Sequence, residues 1–261
     1  SDVRNGNGLR EVWYKTSTNG GINWSEAVNI TLQTHRPKLP QINPAYNFTD
    51  DWRSYANTPG HAMQFETGKY KGRIYIAANH SEGGIQNESM DYIAHGFYTD
   101  DHGKTFHISN NVNLPGGNEN MAAELSDGRI MLNIRNQRGD VRARYIAISS
   151  NGGQSWDTSY FDKNLPDPVC QGSLLTIGKK RKQNILAFSN AADEMRRDNL
   201  TLRISFDDGK TWKKNFVIYK NPSQPDAAAY SDIVKLSGKK IGVLYEKDNY
   251  SKIVFTVVKW K

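Results

Sequence analysis

The sequence predicts an all-β protein of the propeller type. Two observations carry that expectation: short β-rich runs separated by Gly/Asn/Asp turns, and an eight-residue turn motif that recurs four times. The runs are Ile74–Ala78, Arg129–Asn133, Arg144–Ile148, Ile185–Ser189, Leu200–Ile204, Lys240–Tyr245 and Ile253–Val258, and no apolar helical period lasts long enough to compete with them. The motif has the form Ser/Thr-x-Asp/Asn-x-Gly-x-polar-aromatic. It occupies Ser17–Trp24, Thr99–Phe106, Ser149–Trp156 and Ser205–Trp212. Each residue type has a reason: the Asp or Asn side chain accepts backbone N–H bonds within the turn, Gly supplies a positive φ, and the aromatic plugs the underside of the hairpin. The motifs start 82, 50 and 56 residues apart. That spacing is close to the roughly 40–50 residues of a four-stranded blade with its loops. Such turns belong on the outer rim and carry no chemistry themselves.

Composition narrows the function. The 261 residues suffice for one large β domain, and residues 1–261 are read as one. Only 37 % of residues are hydrophobic, yet there are 6 Trp, 13 Tyr and 9 Phe, a balance typical of carbohydrate-handling β-proteins and unlike that of disordered chains. No apolar run approaches the roughly 18 residues of a membrane span. Ser1-Asp2-Val3-Arg4 is no signal peptide and lacks an initiator Met. With Cys170 the only cysteine, an internal disulfide is excluded; no Cys/His spacing suggests zinc, and neither metal nor cofactor is expected. A net charge of +7 suits nucleic acid, an anionic surface or an anionic small substrate. The basic residues are scattered, and the densest cluster, Lys179-Lys180-Arg181-Lys182, reads as a solvated hairpin loop, so nucleic acid is not expected. Asn-x-Ser/Thr sequons at Asn29, Asn47, Asn79, Asn87, Asn199 and Asn249 hint at surface loops.

Between the repeats, further motifs follow in order. Trp52 and Pro59-Gly60-His61 come first, then Lys71-Gly72-Arg73-Ile74, Asn118-Glu119, Glu124-Leu125-x-Asp127-Gly128 and Leu132-Asn133-x-Arg135. Asp167-Pro168-Val169-Cys170-Gln171, Phe188-Ser189-Asn190, Arg197-x-Asn199-Leu200, Tyr230-Ser231 and Leu244-Tyr245-Glu246 complete the series. In this order they resemble the sialidase (neuraminidase) family of glycoside hydrolases, whose Asp-boxes the four repeats match. The resemblance runs from about residue 11 to the C-terminus. It implies a six-bladed β-propeller and exo-α-sialidase activity on sialylated glycans or glycoproteins.

Within the resemblance, Arg135 and Arg197 match the second and third arginines of a triad that grips the substrate carboxylate. Arginine suits that task because its planar fork makes two parallel charge-assisted bonds and stays charged. Tyr230 matches the nucleophile and Glu119 the carboxylate that removes its proton. A free phenol titrates near pH 10, so it needs a neighbouring base to attack at neutral pH. A neutral nucleophile also avoids the repulsion that an anionic carboxylate would meet beside the sugar's own carboxylate. Glu246 matches the residue that steadies the first arginine of the triad.

Two expected parts are absent from the pattern: the first arginine, with its Arg-Ile-Pro signature, and the aspartate acid/base. Asp2-Val3-Arg4 resembles the aspartate motif only superficially, and Arg73-Ile74-Tyr75 lacks the proline and is read as a structural strand. The chain is therefore expected to lack its first blade, wholly or in part, and to be the larger C-terminal part of a longer enzyme whose N-terminal segment lies elsewhere. Alternatives are a sialic-acid-binding propeller without catalysis and a trans-sialidase. Secretion or export to the periplasm is expected, with a lysosome as the alternative.

Overall fold

The computed structural model describes residues 10–37, 52–84 and 89–261. A small sheet of β1 (Trp13–Tyr14) and β2 (Val28–Asn29) and a one-turn helix α1 (Thr31–Thr34) come first. Four larger antiparallel sheets follow in chain order. The first contains β3 (Trp52–Asn57), β4 (Met63–Gln64), β5 (Ile74–Glu82), β6 (Tyr92–Thr99) and β7 (His107–Ile108). The second contains β8 (Gly117–Glu124), β9 (Ile130–Asn136), β10 (Ala143–Ser149) and β11 (Thr158–Pro166). The third contains β12 (Gly172–Lys180), β13 (Gln183–Ala191), β14 (Leu200–Ser205) and β15 (Lys214–Tyr219), and the fourth β16 (Ala228–Leu236), β17 (Lys240–Lys247) and β18 (Lys252–Lys259). The first strands of successive sheets touch, β8 against β12 and β12 against β16. Among the described residues this is a propeller-like ring of four blades.

The blades pack face to face, which explains the continuous apolar runs of their middle strands. Ile130, Leu132 and Ile134 of β9 join a core with Phe65 and Tyr75 of the first blade region, while Met131 joins one with Leu174, Leu186 and Phe188 of the third. A strand buried on both faces shows no alternation. The third and fourth sheets share a core of Leu202, Ile204, Ile233, Ile241 and Val243. The other face of the fourth sheet carries exposed Val234, Leu244, Ile253, Phe255 and Val257. The cluster Lys179–Lys182 closes the β12–β13 hairpin, as its charge suggests. Asn79, by contrast, is buried in β5, so that sequon marks no surface loop.

The four repeats share one geometry. The first hydroxyl of each accepts the N–H of the glycine four residues on: Ser17 from Gly21 (2.9 Å), Thr99 from Gly103 (2.9 Å), Ser149 from Gly153 (3.0 Å), Ser205 from Gly209 (2.9 Å). The amide or carboxylate oxygen at the third position accepts the N–H four residues further, at 2.9–3.0 Å, in Asn19, Asp101, Asn151 and Asp207 alike. All four glycines take φ between +80° and +86°. Phe106, Trp156 and Trp212 pack against the cores, as expected of a plug. Trp24 does not. It is 59 % exposed and donates to the Gly21 carbonyl of its own turn, and among the described residues its β1–β2 sheet has two strands. Arg73 is structural: it forks onto Asp100 at 2.7 and 2.8 Å and donates to the Gly152 carbonyl at 3.0 Å, tying two repeats together.

Candidate active site

Two β-bulges build the centre. Gly117 pairs with Asn136 and Asn120 with Ile134, so Asn118 and Glu119 together oppose the single residue Arg135. Ala228 pairs with Lys247 and Ser231 with Tyr245, so Ala229 and Tyr230 together oppose Glu246. A bulge kinks its strand and re-aims a side chain. Here it does so at the same end of two first strands. Glu119 and Tyr230 lie near the starts of β8 and β16, Arg135 near the end of the antiparallel β9, and Arg197 on the connection from β13 to β14, so the topology delivers all four to one end of the ring.

The side chains meet there. The Tyr230 hydroxyl donates a short hydrogen bond to Glu119 Oε1. Arg135 Nη1 donates to Glu119 Oε2 at 2.6 Å and to the Tyr230 hydroxyl at 3.1 Å. The Arg135 and Glu119 side chains are only 9 % and 12 % exposed, so this ion pair is largely withdrawn from water. Arg135 Nε is buried with no partner among the described residues. Arg197 stands with its guanidinium carbon 5.8 Å from the Tyr230 ring centroid. It donates to the Tyr250 hydroxyl at 2.8 Å and to the Val169 carbonyl at 3.3 Å. Glu246 Oε2 accepts the Tyr230 backbone N–H at 3.0 Å. It thus steadies the tyrosine across its bulge.

Electrostatics fix the resting state. Burial, then the Glu119 charge and its hydrogen bond, push the Tyr230 phenol well above its ordinary pKa, with Arg135 opposing them only in part. The phenol is therefore neutral, its proton already directed at a carboxylate. Burial works against the charge on Arg135, but Glu119 and Tyr230 more than offset it, and its pKa lies above the usual value. Burial pushes the Cys170 thiol up to about 12, so it remains an unreactive thiol within the field of both arginines. Among the described residues no group of three or more His, Cys, Asp or Glu could hold a metal ion.

An apolar cavity of about 150 Å³ opens beside Tyr230, between Pro59-Gly60 and Leu244, Tyr245 and Ile253. A larger cavity of about 550 Å³ lies at the other ends of the first strands, lined by Glu124, Thr176, Asn184 and Lys235, away from the four-residue cluster. The five residues singled out in the sequence, Glu119, Arg135, Arg197, Tyr230 and Glu246, all belong to one neighbourhood. Tyr250 and Val169 contact Arg197, and Gln171 contacts Ser231, the residue after Tyr230. Tyr250 carries no sequence signal, while Val169 and Gln171 belong to the Asp167–Gln171 motif, whose part in the site only the contacts reveal. Asp2, the superficial aspartate candidate, lies outside the described residues.

Residues 3–243 match the BNR repeat-like domain. The sialidase of Micromonospora viridifaciens is 33 % identical over 238 residues, covering 88 % of this chain and 33 % of that protein. A sialidase of Bacteroides fragilis is 28 % identical over 251 residues, covering 94 % of this chain and 41 % of that protein. The solved structure of the Hadza microbial sialidase Hz136 superposes with a TM-score of 0.76 at 25 % identity, over 96 % of this chain and 44 % of that one. The chain thus spans a third to under half the length of these relatives. Among the described residues no helix is long and apolar enough to cross a membrane. The chain belongs to the BNR repeat-like domain family and, within it, to the sialidases.

Proposed function

We propose that the protein is an exo-α-sialidase that releases terminal sialic acid from glycans or glycoproteins with retention of configuration. The observation that carries this reading is the neutral Tyr230 phenol hydrogen-bonded to Glu119 with Arg135 bridging the two. Arg197 and Arg135 receive the substrate carboxylate. Tyr230 oxygen bonds to the anomeric carbon as the bond to the departing oxygen breaks, and Glu119 takes the phenolic proton. An acid protonates the departing oxygen; that part falls to an aspartate beyond the residues described. Water then attacks the tyrosyl-linked sugar from the vacated side, its proton goes to the conjugate base of that acid, and Tyr230 recovers its own from Glu119. The +7 charge favours approach of anionic glycans.

Residues 1–261 form one sialidase-like domain in this reading, with a first blade completing six supplied by further polypeptide. The exposed apolar face of the fourth sheet supports it, since a contiguous face of Val, Leu, Ile and Phe is normally covered. Its location is secreted or periplasmic, with the lysosome as alternative. The test is turnover of a fluorogenic sialoside by the full-length protein. Release of fluorophore with a product of retained configuration supports hydrolysis; binding without release makes it a lectin, and transfer to a galactoside acceptor makes it a trans-sialidase.

A further inference from the structure

Arg144 is fully buried and lies at the start of β10, one strand outward from Arg135. Its guanidinium carbon lies 5.8 Å from the Phe188 ring centroid, and its N–H groups all point at polar atoms. Its Nε donates to the Asn133 side-chain oxygen at 2.6 Å, and Nη1 donates to the Cys170 carbonyl at 2.6 Å and to Asp167 Oδ1 at 3.3 Å. Asp167, itself 2 % exposed, also accepts the Cys170 N–H at 3.3 Å. The buried pair therefore clamps both ends of residues 167–170, the connection that carries the chain from β11 of one blade to β12 of the next.

That connection is under strain and holds two parts of the active site. Val169 has φ +64°, a left-handed conformation that a β-branched residue adopts only when its surroundings impose it. Its side chain fills the space that a Cβ on Gly139 would occupy, and its carbonyl accepts from Arg197. Two residues on, the Gln171 side chain accepts the Ser231 N–H at 3.0 Å and donates to the Pro59 carbonyl at 3.4 Å. Ser231 follows Tyr230. One turn thus touches both the clamp and the nucleophile's strand.

We propose that Arg144 is the positioning residue of this site: through Asp167 it holds the strained 167–171 turn, which sets Arg197 through the Val169 carbonyl and Tyr230 through the Gln171–Ser231 bond. A buried ion pair is weak evidence for stability alone, because apolar replacements of similar volume often do as well. Its value here is the placement of a backbone carbonyl and an amide side chain that no apolar pair would supply. The kinetic part rests on the sialidase reading; the structural part does not.

The test uses the full-length protein with Arg144→Lys and Asp167→Asn. Each loosens the clamp from one side while keeping a polar group in place, Lys a charge beside Asp167 and Asn an acceptor for the Cys170 N–H, so whichever variant folds decides the matter. Hydrogen exchange is followed in residues 167–172 and 228–233, beside the melting temperature and sialoside kinetics. The expected result for either variant, assayed well below its melting temperature, is exchange at least about tenfold faster in both segments. Displacing both groups should raise KM and lower kcat together, for a loss in kcat/KM on the order of 10²-fold. Faster exchange confined to 167–172, or kcat/KM within twofold of the parent, overturns the proposal. A parent protein that turns over no sialoside refutes the functional reading alone, and the exchange pattern at 228–233 then decides whether the turn positions the Tyr230 strand.

Discussion

Replacing Glu119 by Gln separates the base from the geometry. The amide oxygen can still accept from Arg135 Nη1 and the amide N–H can donate to the Tyr230 oxygen, so the arrangement is kept while the proton acceptor is lost. At an ordinary phenol pKa near 10, at most about one tyrosine in 10³ is ionised at pH 7, and the burial of Tyr230 makes the fraction smaller still. A positioned general base contributes about 10²–10⁴-fold, so kcat of Glu119→Gln should fall by that factor with KM within about threefold of the parent. The pH profile supplies a second signature. The Glu119 charge is the second largest influence raising the Tyr230 pKa, and without it the phenol ionises more readily. Phenolate then becomes the only nucleophile, so kcat of the variant should climb about tenfold per unit between pH 7 and 9, a rise that the parent, with its base in place, should not show. Stopped fluorogenic assays of the full-length variant across that range read both. A loss in kcat below about fivefold, or a flat profile in the variant, would refute the assignment of Glu119 as base.

Three further outcomes follow from the same structure. Arg197→Lys keeps the charge but loses the planar fork; with one charge-assisted bond worth about 1.5–3 kcal/mol, affinity for sialic acid should weaken about 10–100-fold by calorimetry, with the fold unchanged. The buried histidines His35 and His80 stack with Trp52 and His95 packs against it at a tilt, and burial drives His35 down to about 3 and the other two well below their ordinary value. Depressed pKa values mean that the unfolded chain binds more protons, so stability is full above pH 6.5 and drops below it. The slope approaches about 1.4 kcal/mol per pH unit for each histidine, and denaturant melts from pH 7.5 to 5 should show it. Gly153→Ala would place a Cβ 2.4 Å from Tyr75 Cε2 at φ +85°, and strain plus overpacking should cost about 2–4 kcal/mol in the same melts.

The legible and hidden parts of the fold divide by position within a blade. All seven runs marked in the sequence fall on second and third strands, β5, β9, β10, β13, β14, β17 and β18, where burial on both faces or regular alternation leaves a clear pattern. First strands leave none. β8 reads Gly-Asn-Glu-Asn-Met-Ala-Ala-Glu and β16 begins Ala-Ala-Tyr-Ser-Asp, because strands facing the central axis spend their pattern on polar groups and bulges. Outer strands such as β11 and β15 are solvated and equally faint. Of the site, Glu119, Arg135, Arg197 and Tyr230 are legible through resemblance, whereas their bulges depend on pairing register, which local sequence does not encode. Arg144 reads as the first residue of an ordinary strand. Its burial emerges only when the 167–171 turn folds over it. Glu246 lies beside the centre, but its visible contact is the Tyr230 N–H.

The most direct test of the account is to trap the intermediate. Full-length protein incubated with a 2-fluoro sialic acid bearing a 3-fluoro substituent, which slows release of the sugar, is digested and its peptides weighed. The account predicts one sialyl adduct, carried by the Tyr230 phenol and absent from Tyr230→Phe. An adduct on Glu119 or another residue, or turnover by Tyr230→Phe at the parent rate, would contradict it.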